Sequence, residues 1–436
     1  MKSGKIMPDL YHPHVQVIHH DPRSAMRKTI IGNQSGSIKR SKSCDNQGHL
    51  PPTADWNKMP DSIEIPLFAI RHKQIGGTEL AIYNLIRGLA ASTGGVRIIY
   101  DRDEHLAPEF REWLARHPDV KRMAGFRLPG PKNVRFFQEA LFEWSRRNSH
   151  WVLYPNYFIP PRRPFSRHLN AVVLHDIQYK VLPAYHSASR KAWLDFYLPG
   201  MFRRADAVVL ISQSEKRYVE EFFGSKNAER CDVVYNAIDW DRFDRPVGTA
   251  PSSDIAELLS RPYLLSVCHQ FPHKNLQTLL LAFEHLIFLH PDLYLYMVGV
   301  DSASNRKFVA TRLSNAARDR VRLLGFLSDQ DLGSLYREAQ LFVLPSLYEG
   351  FGMPAVEALG LGTPIVVSGT TALPEVTLGL GNYVDSPEDV EAWVSQIDAQ
   401  LSINARPTSE TIQALRTAYS PATVAQSLLS ALDKRQ

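Results

Sequence analysis

The stretch Ser346-Leu347-Tyr348-Glu349-Gly350-Phe351-Gly352-Met353-Pro354-Ala355-Val356-Glu357-Ala358-Leu359-Gly360 decides how this 436-residue chain is read. It follows a short apolar run, Leu341-Phe342-Val343-Leu344, that reads as a buried strand. Gly350 and Gly352 loosen the backbone after it. Pro354 is placed as the first residue of a helix, where its missing N–H costs nothing. A glycine turn feeding a helix N-terminus offers free amides and the positive end of a dipole, which suits a phosphate. Glu349 before the helix and Glu357 on it lie eight residues apart and can face one ligand. Strand, glycine turn and helix also recur throughout α/β proteins, so the spacing alone leaves a purely structural reading open.

Glu349 and Glu357, with Gly350-Phe351-Gly352 between them, resemble the Glu-x7-Glu signature of retaining GT-B glycosyltransferases, in particular the large family 4 group. The resemblance extends over residues 63–432 and is strongest from 263 to 376.

A chain of 436 residues exceeds one ordinary core, so two domains are expected. Hydrophobic content of 44% and charged content of 22% are those of a soluble globular protein. No window reaches the ~18 consecutive apolar residues of a membrane span. Met1-Lys2-Ser3-Gly4-Lys5 leads into no apolar signal-peptide segment. Cys44, Cys231 and Cys268 are scattered and odd in number, which fits a reducing cytoplasm and neither a disulfide framework nor a zinc site. Residues 1–60 hold nine Lys+Arg against four Asp, which accounts for the whole formal net charge of +5. The balanced remainder does not read as a nucleic-acid binder. The basic tail reads as disordered, and its charges suit peripheral contact with anionic lipid headgroups at the inner face of a membrane.

Ile63 to Ile70 reads as the first strand, with Pro66 near its start. Gly76-Gly77 then precedes a helix whose Leu80, Tyr83, Leu85, Ile86 and Leu89 follow a helical period. The glycine pair lacks the dinucleotide and P-loop patterns, so no such site is implied. By resemblance, Gly76 and Gly77 match a family 4 turn lying under the donor phosphates and the acceptor. Val96–Tyr100 is the next strand and runs into Asp101-Arg102-Asp103. Asp239-Trp240-Asp241 has the same Asp-x-Asp form, which in GT-A glycosyltransferases holds a divalent cation. Neither is taken as a metal site. Three-residue patterns recur by chance, and Asn236-Ala237-Ile238-Asp239 resembles the Asn-Gly-Val-Asp segment of the GT-B hinge, with Ala237 for Gly. His175-Asp176 ends the strand Ala171–Leu174, at the end of a parallel sheet where ligands bind. The resemblance puts His175 at the donor sugar. Ser212 is placed to cap the next helix, with Glu215 three residues on, as in a capping box.

Residues 245–262 read as the interdomain linker. Beyond it the strand Tyr263–Val267 leads into Cys268-His269-Gln270-Phe271-Pro272-His273-Lys274-Asn275, with Asn275 as a helix N-cap. This resembles the family's Val-Gly-Arg-x-x-Pro-x-Lys-Asn loop, whose Arg and Lys grip the diphosphate. Lys274 matches, but Cys268 stands for Gly and His269 for Arg. Histidine titrates near neutrality, whereas guanidinium is always charged. His269 is therefore the weak member unless the diphosphate holds it protonated. Gly325, Phe326 and Leu327 match main-chain positions beside the nucleotide base.

The expected fold is therefore α/β of the GT-B type: two Rossmann-like doubly wound domains facing a central cleft, with a C-terminal helix crossing back. The acceptor-binding domain is assigned to residues 61–244, the nucleotide-sugar domain to 245–418 and the crossover helix to 419–436. The resemblance implies retaining transfer of mannose or glucose from a nucleotide diphosphate sugar, GDP-mannose being favoured, to a hydroxyl of a glycan or lipid-linked acceptor. Cell-surface polysaccharide synthesis is the implied setting, with no metal or cofactor. Glu349, Lys274 and His175 are the expected catalytic residues. Gly76, Gly77, His269, Gly325, Phe326, Leu327, Gly350, Phe351, Gly352 and Glu357 are the expected donor contacts, with Glu357 at the ribose. The alternative is a nucleotide-sugar-binding or scaffold protein that has lost catalysis, suggested by Cys268, His269 and Ala237.

Overall fold

Alternating strands and helices build two parallel sheets in this computed structural model. It describes residues 63–68, 70, 77–93, 95–100, 103–124, 150–161, 168–244, 250–269, 271–299 and 303–435. The basic tail, Gly76 and the Asp101-Arg102 pair lie outside the described residues.

The first sheet holds β1 (Ile63–Pro66), β2 (Val96–Tyr100), β3 (Lys121–Ala124), β4 (Trp151–Tyr154), β5 (Leu169–Leu174), β6 (Ala207–Leu210) and β7 (Cys231–Val233), in the order β3-β2-β1-β4-β5-β6-β7. The second holds β8 (Tyr263–Val267), β9 (Tyr294–Val298), β10 (Val321–Leu324), β11 (Leu341–Leu344), β12 (Ile365–Ser368) and β13 (Asn382–Val384), in the order β10-β9-β8-β11-β12-β13. Each sheet reverses its winding once, at β1/β4 and at β8/β11, and such a switch leaves a crevice beyond the carboxyl ends of the strands. Gly77 follows β1, His175 follows β5, Lys274 follows β8 and Glu349 follows β11. The expected two-domain fold is what forms.

Strands such as β4, β6 and β11 are buried along their whole length, as parallel strands covered on both faces must be. Pro66 ends β1 instead of opening it. β1 lies between two partners, and a residue without N–H cannot extend a central ladder. Its pairing to β4 stops at Glu64–Val152, and the Leu67 amide reaches on to the Ile99 carbonyl at 2.7 Å.

The helices that position the site are α1 (Gly77–Ser92), α2 (Gln213–Phe223), α3 (Leu276–Leu289), α4 (Asp329–Glu338), α5 (Met353–Gly360), α6 (Ser409–Ala418) and α7 (Pro421–Asp433). On α3, Leu279, Leu280, Phe283 and Leu286 are fully buried in a core shared with Leu295, Val343 and Trp393. Each such side chain contributes roughly 1.5–3 kcal/mol. Asn275 stands at the N-cap position but does not cap through its side chain. Its backbone is left-handed (φ 54°), and its side-chain amide donates to the Pro387 carbonyl at 2.6 Å while its side-chain oxygen accepts from the Thr278 hydroxyl.

α7 crosses back and packs along α1. Gly88 permits this, because a Cβ there would collide with the Pro421 carbonyl. The hinge is pinned on both sides. Ile238 N–H donates to the Tyr419 carbonyl at 2.8 Å, Asn84 donates to the Ala237 carbonyl at 3.0 Å, and Arg87 pairs with Asp239 at 2.5 Å. Asp239 is thus taken by a cation of the protein itself. Neither Ala237 nor Cys268 has a positive φ, so replacing the family's glycines strains no backbone here.

Candidate active site

Glu349 is buried in the loop between β11 and α5, with 8% of its surface exposed. Its Oε1 accepts from Lys274 Nζ at 2.7 Å and from Ser346 Oγ at 2.7 Å. Its own amide donates to Thr371 Oγ1 at 3.0 Å, and Thr371 holds a left-handed backbone (φ 57°) to offer that oxygen. The Leu347 amide donates to the His273 carbonyl at 2.8 Å and ties this loop to the one carrying Lys274. A cation and a carboxylate from two different strand ends are therefore held together, largely out of water.

The two glycines of the stretch serve different ends. Gly352 is the N-cap of α5 with φ 90°, a conformation open to glycine. Gly350 has no positive φ, but a Cβ on it would stand 2.7 Å from the His175 carbonyl oxygen. It lets the two domains approach. Pro354 is the second helical residue, behind Met353, instead of the first. A Cβ on Gly77 would lie 3.9 Å from Met353 Sδ, which sets the start of α1 opposite the start of α5.

His175 is half-buried, with Nε2 3.2 Å from the Pro155 carbonyl oxygen. Burial pushes its pKa down to about 4, so the ring is neutral. The Nε2 hydrogen then donates to Pro155, and Nδ1 is left as an acceptor. Ser212 Oγ caps α2 by accepting the Glu215 amide at 3.1 Å, as expected. The Glu215 side chain leaves the capping box, however. Its carboxyl oxygens accept from the Ile177 amide at 3.0 Å and from the Tyr348 hydroxyl. Burial, and then the nearby Asp176 charge, push the Glu215 pKa up to about 8.

Glu357 is 3% exposed and already partnered. Arg242 Nη2 lies 2.8 Å from Oε1, and the Tyr336 hydroxyl donates to Oε2 at 3.0 Å. Arg242 also pairs with Asp329 at 2.5 Å. Burial pulls the Arg242 pKa down, but Glu357 and Asp329 more than offset it, so it stands above its ordinary value. A cleft of about 750 Å³ opens beyond Arg242, with Tyr83, Arg87, Trp113, Asp239 and Asp329 in its wall. His269 is pushed down by burial and then by Lys274, which leaves it neutral in the ligand-free site. Its ring sits 6.0 Å from that of Phe326, which is 59% exposed, and nothing crowds Gly325.

The structure thus gathers Gly77, His175, Lys274, Glu349, Gly350 and Gly352 around one boundary, and His269 with Phe326 beside it. The Phe351 side chain is buried against the hinge rings of Tyr235 and Tyr419, with centroids 6.2 and 5.5 Å away, which leaves its main chain to face a ligand. Sequence reasoning missed Arg242, Tyr336, Glu215 and Glu375, whose partners lie 21 to 162 residues away. Among the described residues, no group of three or more His, Cys, Asp or Glu is placed to hold a metal ion.

Residues 75–242 match the family model described as Glycosyltransferase Family 4, and residues 253–414 match that described as Glycosyl transferases group 1. The O-antigen chain mannosyltransferase B of Escherichia coli is 29% identical over 258 residues, 58% of this chain and 66% of that protein. The O-antigen chain mannosyltransferase RfbU of Salmonella typhimurium is 27% identical over 231 residues, 52% of this chain and 59% of that one. The chain therefore spans less than two thirds of the length of these relatives. The sucrose-phosphate synthase structure from Thermosynechococcus elongatus superposes with a TM-score of 0.65 at 20% identity, covering 86% of this chain and 98% of that one. With two family models in tandem on two parallel-sheet domains, the chain belongs to the GT-B glycosyltransferases.

Proposed function

We propose that the protein transfers a hexose from a nucleotide diphosphate sugar to a hydroxyl of a glycan or lipid-linked acceptor, with retention and without a metal. The observation that carries this reading is the buried Lys274–Glu349 pair facing the His175 segment across the domain boundary. Lys274 is the cation for the leaving diphosphate, a preorganised charge where negative charge develops. Glu349 is assigned to the transferred sugar and the developing oxocarbenium. A neutral His175 with Nδ1 free to accept suits a sugar hydroxyl, while its pKa of about 4 makes it a weak base near neutrality. We assign the acceptor proton to the departing phosphate oxygen, in a same-face transfer. Glu357 is assigned to the donor ribose, held in place by Arg242 and Tyr336.

GDP-mannose is the favoured donor, supported by the two mannosyltransferase relatives, and polysaccharide synthesis is the favoured setting. No described helix is long and apolar enough to cross a membrane. We assign the work to the cytoplasm, with peripheral contact at the inner membrane face through the basic tail. A second reading, a donor-binding protein without turnover, is favoured by one observation: His269 is uncharged where the family places arginine.

Thermal shift with UDP, GDP and ADP selects the base, since a ligand bound to the folded state raises the melting temperature. Release of nucleoside diphosphate from the matching sugar is then measured in EDTA with a glycan acceptor. Release with retention of configuration is expected. Tight donor binding with no turnover on any acceptor supports the second reading.

A further inference from the structure

We propose that Glu215 is a positioning residue of this site, tying the His175-Asp176-Ile177 segment of the first domain to the Tyr348-Glu349-Gly350 segment of the second. The tie stands on the geometry alone, whereas its effect on turnover rests on the transfer reading above.

Glu215 is fully buried. One oxygen takes the Ile177 amide and the other meets the Tyr348 hydroxyl, so a single carboxyl group contacts both segments. A Cβ on Gly350 would lie 3.5 Å from Glu215 Oε1 and 2.7 Å from the His175 oxygen, so the three groups share one contact. Ile177 is two residues from His175, and Tyr348 is next to Glu349. Any slip at Glu215 therefore reaches both expected catalytic side chains, and about 1 Å of misplacement can cost ~10²-fold in rate.

The groups that face Glu215 set its ionisation. The Asp176 and Glu375 carboxylates oppose its charge, and the Tyr348 hydroxyl and Ile177 amide favour it. The Tyr218 phenol stands nearby on the same helix. Burial decides the balance, and the group holds its proton up to about pH 8. In that form one oxygen accepts the Ile177 amide and the other the Tyr348 hydroxyl, with no net charge in the seam. Ionisation places a charge in a buried seam beside Asp176.

Glutamine keeps the group neutral, with its oxygen toward Ile177 and its amide N–H against the Tyr348 oxygen, which then accepts. The test compares wild type, Glu215→Gln, Glu215→Ala and Tyr348→Phe. The first readout is GDP release from GDP-mannose across pH 6–9. The second is amide hydrogen exchange at 175–177 and 348–350. Glu215→Ala is expected to lose ~100-fold in kcat with donor KM unchanged and to exchange faster at both segments. Glu215→Gln is expected to keep wild-type kcat and protection and to lose the fall in rate above pH 8. Tyr348→Phe deletes only the cross-domain hydroxyl. It is expected to loosen exchange at 175–177 even if Glu215→Ala does not fold. If the wild type releases no nucleotide but the exchange pattern holds, the transfer reading fails and the tie stands. Glu215→Gln as damaged as Glu215→Ala, or unchanged protection in both Glu215→Ala and Tyr348→Phe, would overturn the proposal.

Discussion

The Glu375 carboxylate accepts the backbone amide of Gln213 at 2.6 Å, and its second oxygen accepts that of Ser214 at 3.0 Å. A side chain of the second domain thereby caps a helix of the first. The first-turn amides of α2 have no partner inside the helix, so an anion there is favoured twice, by hydrogen bonds and by the dipole. Replacing Glu375 with alanine is expected to destabilise the protein by about 1 kcal/mol, the usual worth of a cap. An earlier urea midpoint would register it. A midpoint unchanged in Glu375→Ala would mean the cap contributes nothing in solution.

Lys274→Ala removes the cation assigned to the leaving group and leaves Glu349 with Ser346 as its remaining side-chain donor. Nucleotide release is expected to fall by ~10²-fold or more. Steady-state rates at saturating donor check this, and near-wild-type turnover would take Lys274 out of its assigned role.

Glu215→Gln carries a stability prediction whose sign follows from proton binding. The folded group titrates near pH 8, against an ordinary value of 4.5, so between those two values the folded protein holds a proton that the unfolded chain has released. Wild-type stability from this group therefore declines as pH rises through that window and is level above it. The glutamine variant lacks the decline, so its melting temperature relative to wild type is expected to be higher at pH 8 than at pH 5. A constant difference between the two proteins across that range would argue against the raised ionisation.

Arg242→Ala leaves Glu357 buried with Tyr336 but without its cation. Breaking a buried pair by removing one partner costs about 3–5 kcal/mol. Chemical denaturation should show this, and Glu357→Gln in the same background should recover part of it, because the two changes are coupled. Simple additivity would place the worth of Arg242 in its contact with Asp329.

His269→Arg restores a permanent charge beside Lys274. GDP binding is expected to tighten by roughly tenfold, the scale of one charge-assisted hydrogen bond. Wild-type affinity should rise as the pH falls and His269 gains its proton, and the arginine variant should be flat over the same range. Calorimetry at several pH values distinguishes the two.

The sequence carried the alternation of strands and helices, because apolar runs such as Leu341–Leu344 and the glycine turns after them are local signals. It also carried Lys274 and Glu349 singly, each through its own short motif, but not the ion pair between them, whose members lie 75 residues apart. It did not carry Pro66 as a strand end, because whether β1 is central or at an edge depends on which strands pair with it. Nor did it carry Glu215. A Ser-x-x-Glu spacing announces a capping box, but the Ile177 amide and the Tyr348 hydroxyl, both remote in sequence, turn the side chain away. Arg242 lies three residues past a recognisable hinge aspartate, yet nothing nearby in sequence says that Glu357 is its partner. Nor did it carry where the Phe351 side chain goes, because a residue inside a ligand motif can spend its side chain on the scaffold.

That last residue has a mechanical consequence. The rings of Tyr235, Phe351 and Tyr419 meet where the chain passes between the domains, beside the Ile238–Tyr419 hydrogen bond. Their packing makes one joint of three chain segments. Trimming any one ring leaves the other two facing a void, so the hinge, the loop that carries Glu349 and the entry to α7 would loosen together.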